Sequence, residues 1–148
     1  METRAPEVET DIEAIEQVVA TVQHATQNEL VEEFVDLFRA DAIWTTGGGH
    51  RLFGRDEITA FTRKVLPGGM KGLTITMEVV HVLFIRDDVA AVKVRQIYTS
   101  NEREEAEALG FAGQPDDAEG EGTPLFVMAK EDGRWLLVAC QNTGVLDS

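Results

Sequence analysis

The side chains best suited to chemistry interrupt an apolar stretch. Leu73 to Thr99 reads LTITMEVVHVLFIRDDVAAVKVRQIYT, rich in β-branched and aromatic residues and broken at Arg86-Asp87-Asp88. That pattern predicts two antiparallel strands joined by a tight turn. With Asp87-Asp88 as a two-residue loop, Ile85 faces Ala90, Leu83 faces Val92, His81 faces Val94, Val79 faces Gln96 and Met77 faces Tyr98. His81, Gln96 and Tyr98 are then the polar exceptions on an apolar face. A buried polar group without a partner is costly, so these three are either satisfied structurally or line a cavity that holds something. In a cavity His81 is the candidate proton carrier, as base or acid, and Tyr98 a donor to a developing oxyanion. Gln96 or Asn142 would orient a carbonyl. The competing reading of His81 is a paired and inert core histidine.

Other chemistries find less support. His24, His50 and His81 do not fall at metal-ligand spacing, and no H-E-x-x-H pattern occurs, so no bound metal is expected. Gly47-Gly48-Gly49 lacks the Lys-Ser or Lys-Thr of a phosphate loop and reads as a turn. Cys140 falls in a predicted buried strand, where a thiol behaves as a small hydrophobe, and no Ser or Cys sits in a nucleophile elbow. Glu78 shares a face with Thr74, Thr76 and Val80 by alternation and is expected outside, with Lys93 and Arg95. Trp44 and Trp135 offer flat surfaces that suit either a core or a ligand wall. No dinucleotide or flavin motif is present, and no cofactor is expected.

Lys plus Arg is 13 against 27 acids, a formal charge of −14, without a basic stripe. Phosphate backbones and anionic lipid need clustered cations, so neither nucleic acid nor a membrane is an expected partner. The single cysteine excludes an intrachain disulfide and suits a reducing compartment. The polar, acidic N-terminus and the lack of a long apolar run make a cytoplasmic protein the expectation. The length fits one domain, and an apolar content of 43% suffices for a core.

The elements that must position these residues follow in order. Residues 1–9 read as a flexible N-terminus. Thr10-Asp11-Ile12-Glu13 has the form of a capping box, and Ile12, Ile15, Val19 and Val22 form one stripe of a helix from about Asp11 to Thr26. Asn28 is placed to cap a second helix running to about Arg39, with Leu30, Val31, Phe34, Leu37 and Phe38 inside. Ala42–Thr46 and Arg51–Phe53 read as short strands, and a third helix spans about Arg55 to Leu66. After the central hairpin, residues 101–122 form an acidic loop with a helical turn over Glu102–Leu109. Pro124–Lys130 and Arg134–Thr143 make a second hairpin around Asp132-Gly133, pairing Val127 with Val138 and Leu125 with Cys140. Both faces of this hairpin are apolar. A sheet with helices on one side needs another cover, and a second copy of the chain is the simplest.

The stretches L-F-R-A-D-A-I-W (Leu37 to Trp44), L-F-G-R-D-E-I (Leu52 to Ile58) and D-G-R-W-L-L-V-A-C-Q-N-T (Asp132 to Thr143), in this order of elements, resemble the SnoaL-like branch of the nuclear-transport-factor-two-like superfamily. The closing Q-N-T is most similar to the SgcJ/EcaC proteins that accompany polyketide and enediyne antibiotic gene sets. The resemblance spans nearly the whole chain and implies a single α+β domain: a curved antiparallel sheet packed against three N-terminal helices, cone-shaped with an internal pocket, and often a homodimer across the sheet. Such pockets host isomerase, cyclase and dehydratase chemistry as well as plain ligand binding. The chain departs from the isomerase pattern in carrying Thr46 where that enzyme places its base aspartate. The reading is a pocket for an apolar, polyketide-derived molecule walled by Trp44, Met77, His81, Gln96, Tyr98 and Asn142, serving natural-product biosynthesis by proton transfer, dehydration or cyclisation. Two alternatives stand beside it: a non-catalytic accessory that shields an intermediate or a synthase, and a structural dimerisation module whose interior would be filled.

Overall fold

The computed structural model describes residues 6–100 and 120–145. The helical turn expected over Glu102–Leu109, and most of the acidic loop, lie outside them.

The first helix, α1, runs Pro6–Gln27, so the segment expected to be flexible is helical from Pro6 onward. Proline suits a first helical position, where its missing N–H has no intrahelical partner to lose. Asp11, read from the sequence as part of a cap, lies inside this helix on its buried face. There it accepts hydrogen bonds from Trp135 Nε1 (3.2 Å) and Lys130 Nζ (3.0 Å). Ile15, Val19, Val22 and Ala25 continue the same buried stripe. The second helix, α2, is only Val31–Val35, because Phe38 already enters a strand. Asn28 turns back instead, its side-chain amide donating to the His24 carbonyl (2.9 Å) at the end of α1. The third, α3, spans Arg55–Val65.

Seven strands follow in chain order: β1 Phe38–Thr45, β2 Arg51–Phe53, β3 Leu73–Arg86, β4 Val89–Ser100, β5 Gly120–Gly122, β6 Leu125–Glu131 and β7 Arg134–Gln141. They form one curved, open sheet in the order β2-β1-β7-β6-β4-β3, with β5 on β4. The α+β architecture is the expected one, but the sheet is mixed. The connection through α3 and two hairpins brings β7 back beside β1 in the same direction, and that pair is parallel. Asp132 and Gly133 both take positive φ (52° and 79°), the conformation a two-residue hairpin turn demands.

Bulges bend these strands and decide which side chains face in. In β3 the register shifts at Ile85 and again at Val80. The first shift turns Val82 and Phe84 toward the helices, and the second restores the original alternation at Val79, Met77 and Ile75. His81, Leu83 and Ile85, expected inside, therefore face out with Val80. In β7 a shift at Val138 pairs Val127 with Ala139 and Phe126 with Cys140, in place of the expected partners, and brings Cys140 to the inner face.

The core is continuous from α1 through β4 to β6 and β7, where Ile15, Val92, Val94, Met128 and Leu137 are almost fully buried. Strand β3 is an edge, and α1 closes part of it. Gln27 donates Nε2–H to Leu73 O (2.9 Å) and accepts from Ile75 N (2.8 Å), while Gln23 accepts from Met77 N (2.7 Å). Covering the free backbone groups of an edge strand removes a template for mispairing.

Candidate functional site

The helices do not fill the concave side of the sheet. A cavity of about 340 Å³ remains between α1, α2 and α3 and strands β1, β3, β4, β6 and β7, so the interior is hollow and not plugged by side chains. One wall is aromatic. Trp44 sits among Phe34, Phe38 and Phe61, its ring centroid 5.6, 6.0 and 5.9 Å from theirs, with Phe61 edge-on. Ile75 and Met77 of β3, Met70 and Leu137 supply further apolar surface. Gly47, Val65 and Gly69 line the cavity and also reach solvent, which puts its mouth between the β1–β2 turn and the C-terminal end of α3. Glu29 holds that rim, its carboxylate accepting from Gly68 N (2.7 Å) and Met70 N (3.1 Å).

The polar lining is uncharged. Gln96 and Tyr98 point in from β4, and Asn142 and Thr46 stand just past the ends of β7 and β1. Gln96 is 8% exposed, and neither its carboxamide nor the Tyr98 hydroxyl has a hydrogen-bond partner among the described residues. Burial pushes the Tyr98 phenol above its ordinary range, so it stays a donor. Burial also pushes the Cys140 thiol up, which leaves it neutral and unreactive against the cavity. Thr46 Oγ1 is occupied by the amide N–H of His50 (3.1 Å), and Thr62 Oγ1 donates to Ile58 O (2.7 Å). Among the described residues that line the cavity there is no carboxylate, histidine, lysine or arginine.

Of the residues singled out from the sequence, the structure brings together Trp44, Met77, Gln96, Tyr98 and Asn142. His81 is not among them. The extra residue at Val80 rotates the imidazole to the solvent face, opposite the side that carries Tyr98, where it pairs in register with Lys93. It is therefore withdrawn as a proton carrier for this cavity. The aromatic cage was missed as a site: Phe34, Phe38 and Phe61 read as helix stripes, and only their convergence on Trp44 reveals a wall. His50 was also passed over. Its ring centroid lies 5.3 Å from that of Phe61, at the rim and exposed. No group of three or more His, Cys, Asp and Glu among the described residues is placed to hold a metal ion. No helix among them is long and apolar enough to cross a membrane.

Residues 7–141 match the family model of the SnoaL-like domain. No curated protein matches the chain in sequence. Among solved structures it is similar to a Nostoc punctiforme domain of unknown function with a cystatin-like fold, at 27% identity and a TM-score of 0.74, covering 93% of this chain and 79% of that one. It is similar as well to a ketosteroid isomerase-like protein from Erwinia carotovora atroseptica (15% identity, TM-score 0.68, 93% and 98% covered). A third likeness is to the LinA-type3 hexachlorocyclohexane dehydrochlorinase from Novosphingobium barchaimii (11% identity, TM-score 0.74, 96% and 91% covered). At 15% and 11% identity, likeness carries the fold alone.

Proposed function

This chain belongs to the SnoaL-like domain family, and from that premise we propose that it is a small-molecule-binding protein whose cavity takes an uncharged, largely apolar ligand. The observation that carries the reading is the hollow itself: about 340 Å³ with an aromatic wall and a few neutral polar groups, at the size and character of small-molecule sites. A charged ligand would leave water for a lining with no counter-charge, which disfavours carboxylates and phosphates. The setting we propose is natural-product biosynthesis, with an aromatic or polyene ketone of the polyketide type as occupant. The sequence resemblance supports that setting, and so does a lining that matches such molecules in polarity.

Proton-transfer catalysis needs a group that titrates near the working pH. The described lining offers only a phenol and a thiol, both pushed upward by burial. Binding without conversion is thus the reading favoured here, over isomerase, cyclase or dehydratase chemistry. What the cavity can supply is orientation, with Tyr98 O–H and the Gln96 amide donating to a ligand carbonyl. Calorimetric titration with a naphthalenone, followed by mass spectrometry of the recovered ligand, tests this. Saturable binding with the ligand recovered unchanged is expected; a converted product would overturn the non-catalytic reading, and absence of binding the proposal as a whole.

We also propose that the protein is a homodimer through the outer face of the sheet. Val80, Leu83 and Ile85 there are 60%, 56% and 57% exposed, an apolar cluster of the kind a second copy covers.

A further inference from the structure

The side chain of Asn142 lies in a space that two glycines leave free. A Cβ added at Gly47 would sit 3.1 Å from Asn142 Nδ2, and one at Gly122 would sit 2.8 Å from Oδ1. Neither glycine has a left-handed φ, so the backbone at both positions would accept an L residue. The carboxamide of Asn142 is what the missing side chains make room for. Gly122 also pairs with Gln96 across β4 and β5, so the amides of Gln96 and Asn142 flank the same glycine at the cavity wall. The main chain of Asn142 is anchored, its N–H donating to Thr45 O (3.2 Å).

That anchored residue is left electrically incomplete. Among the described residues, Asn142 Oδ1 is the one side-chain oxygen or nitrogen wholly shielded from solvent that has no hydrogen-bond partner; the unpaired Gln96 amide and Tyr98 hydroxyl are not shut off to that degree. Nearly all buried polar groups in folded proteins are paired, and an exception at a cavity wall points to a partner that arrives from outside. Stability alone does not account for it, because an apolar side chain of similar size would avoid the penalty.

We propose that Asn142 is the recognition residue of this cavity and that its ligand carries a hydroxyl group together with a carbonyl, as a hydroxylated aryl ketone does. The inference rests on reading the cavity as a binding site. The ligand O–H donates to Asn142 Oδ1, and the carbonyl accepts from Tyr98 O–H and the Gln96 amide. In the empty protein Oδ1 is shut off from solvent. Rotation of the amide about its Cβ–Cγ bond presents it to the ligand. Gly122 and Gly47 are thus positioning residues for Asn142.

A hydroxytetralone and its O-methyl ether, which differ in the donor and by one methyl group, test this by calorimetric titration of wild-type protein, Asn142→Ala and Gly122→Ala. Wild type is expected to bind the phenol about tenfold tighter than the ether. Asn142→Ala should bind both probes equally, at the wild-type affinity for the ether, and should unfold at the wild-type temperature or above. Gly122→Ala, which displaces the amide without removing it, should also lose the preference. If wild type binds both probes equally, the inference is overturned while the binding-site reading stands. If neither probe binds, that reading falls and takes the inference with it. A lower unfolding temperature for Asn142→Ala with the preference intact would make the residue structural and overturn the inference on its own.

Discussion

Burial sets the protonation of the two titratable groups among the described cavity residues, and the consequences can be measured. For both Tyr98 and Cys140 the folded protein favours the neutral form. Above the ordinary thiol value of 9.0 the unfolded chain loses the Cys140 proton while the folded one keeps it, so stability is full below that pH and falls as pH rises beyond it. Thermal unfolding from pH 7 to 11 should show an alkaline limb. In Cys140→Ala the limb should begin about a pH unit later, near the ordinary phenol value of 10.0, and an unchanged limb would locate its origin elsewhere. Tyr98→Phe removes a donor that nothing else in the described protein uses, so it should weaken binding of a ketone by about threefold to tenfold without lowering the unfolding temperature. His81→Ala should leave binding untouched, because the imidazole is on the solvent face. Simple alternation put Gln96, Tyr98 and Met77 on the inner face, where they lie, and placed His81 on the wrong one. From Val79 to Ile85 strand β3 is apolar on both faces but for His81 itself, so a one-residue slip there costs the hydrophobic pattern almost nothing, and a valine at the bulge gives no compositional warning.

At the level of elements, α1 holds the cavity's β3 wall through two glutamines one helical turn apart. Gln27→Ala would leave Ile75 N–H and Leu73 C=O without their partner. The expected cost is about 1–3 kcal/mol of stability, with faster hydrogen exchange at Ile75; a variant as stable and as protected as wild type would count against this role. The sequence made most elements legible: α3, β2 and the Asp132-Gly133 turn carry local signals that tertiary structure had no reason to override. Where a segment is decided by its neighbours, the signal fails. Phe38 continues a helical stripe in sequence but is claimed by β7, which cuts α2 to five residues. Gly120–Gly122 has poor strand propensity and is a strand only because Gln96, Ile97 and Tyr98 offer it a partner. The cavity depends on both exceptions, since the first aims Phe34 and Phe38 at Trp44 and the second sets Gly122 beside Asn142.

For the whole molecule, the outward apolar cluster on β3 and the hollow on the other side of the sheet make separate predictions. Light scattering on the purified protein should give about twice the chain mass of 16.3 kDa, and Leu83→Lys should halve it while leaving ligand binding in place. A monomer at all concentrations would remove the dimer proposal and leave the cavity untouched. The claim on which the account turns is that a ligand enters between helices and sheet. Methionine methyl resonances report on it directly, because Met70 and Met77 line the cavity and Met128 is buried in the core outside it. With methyl-labelled methionine and a hydroxytetralone titrated in, saturable shifts are expected at Met70 and Met77 with Met128 unmoved. Shifts at none of the three, or equal shifts at all three, would contradict it.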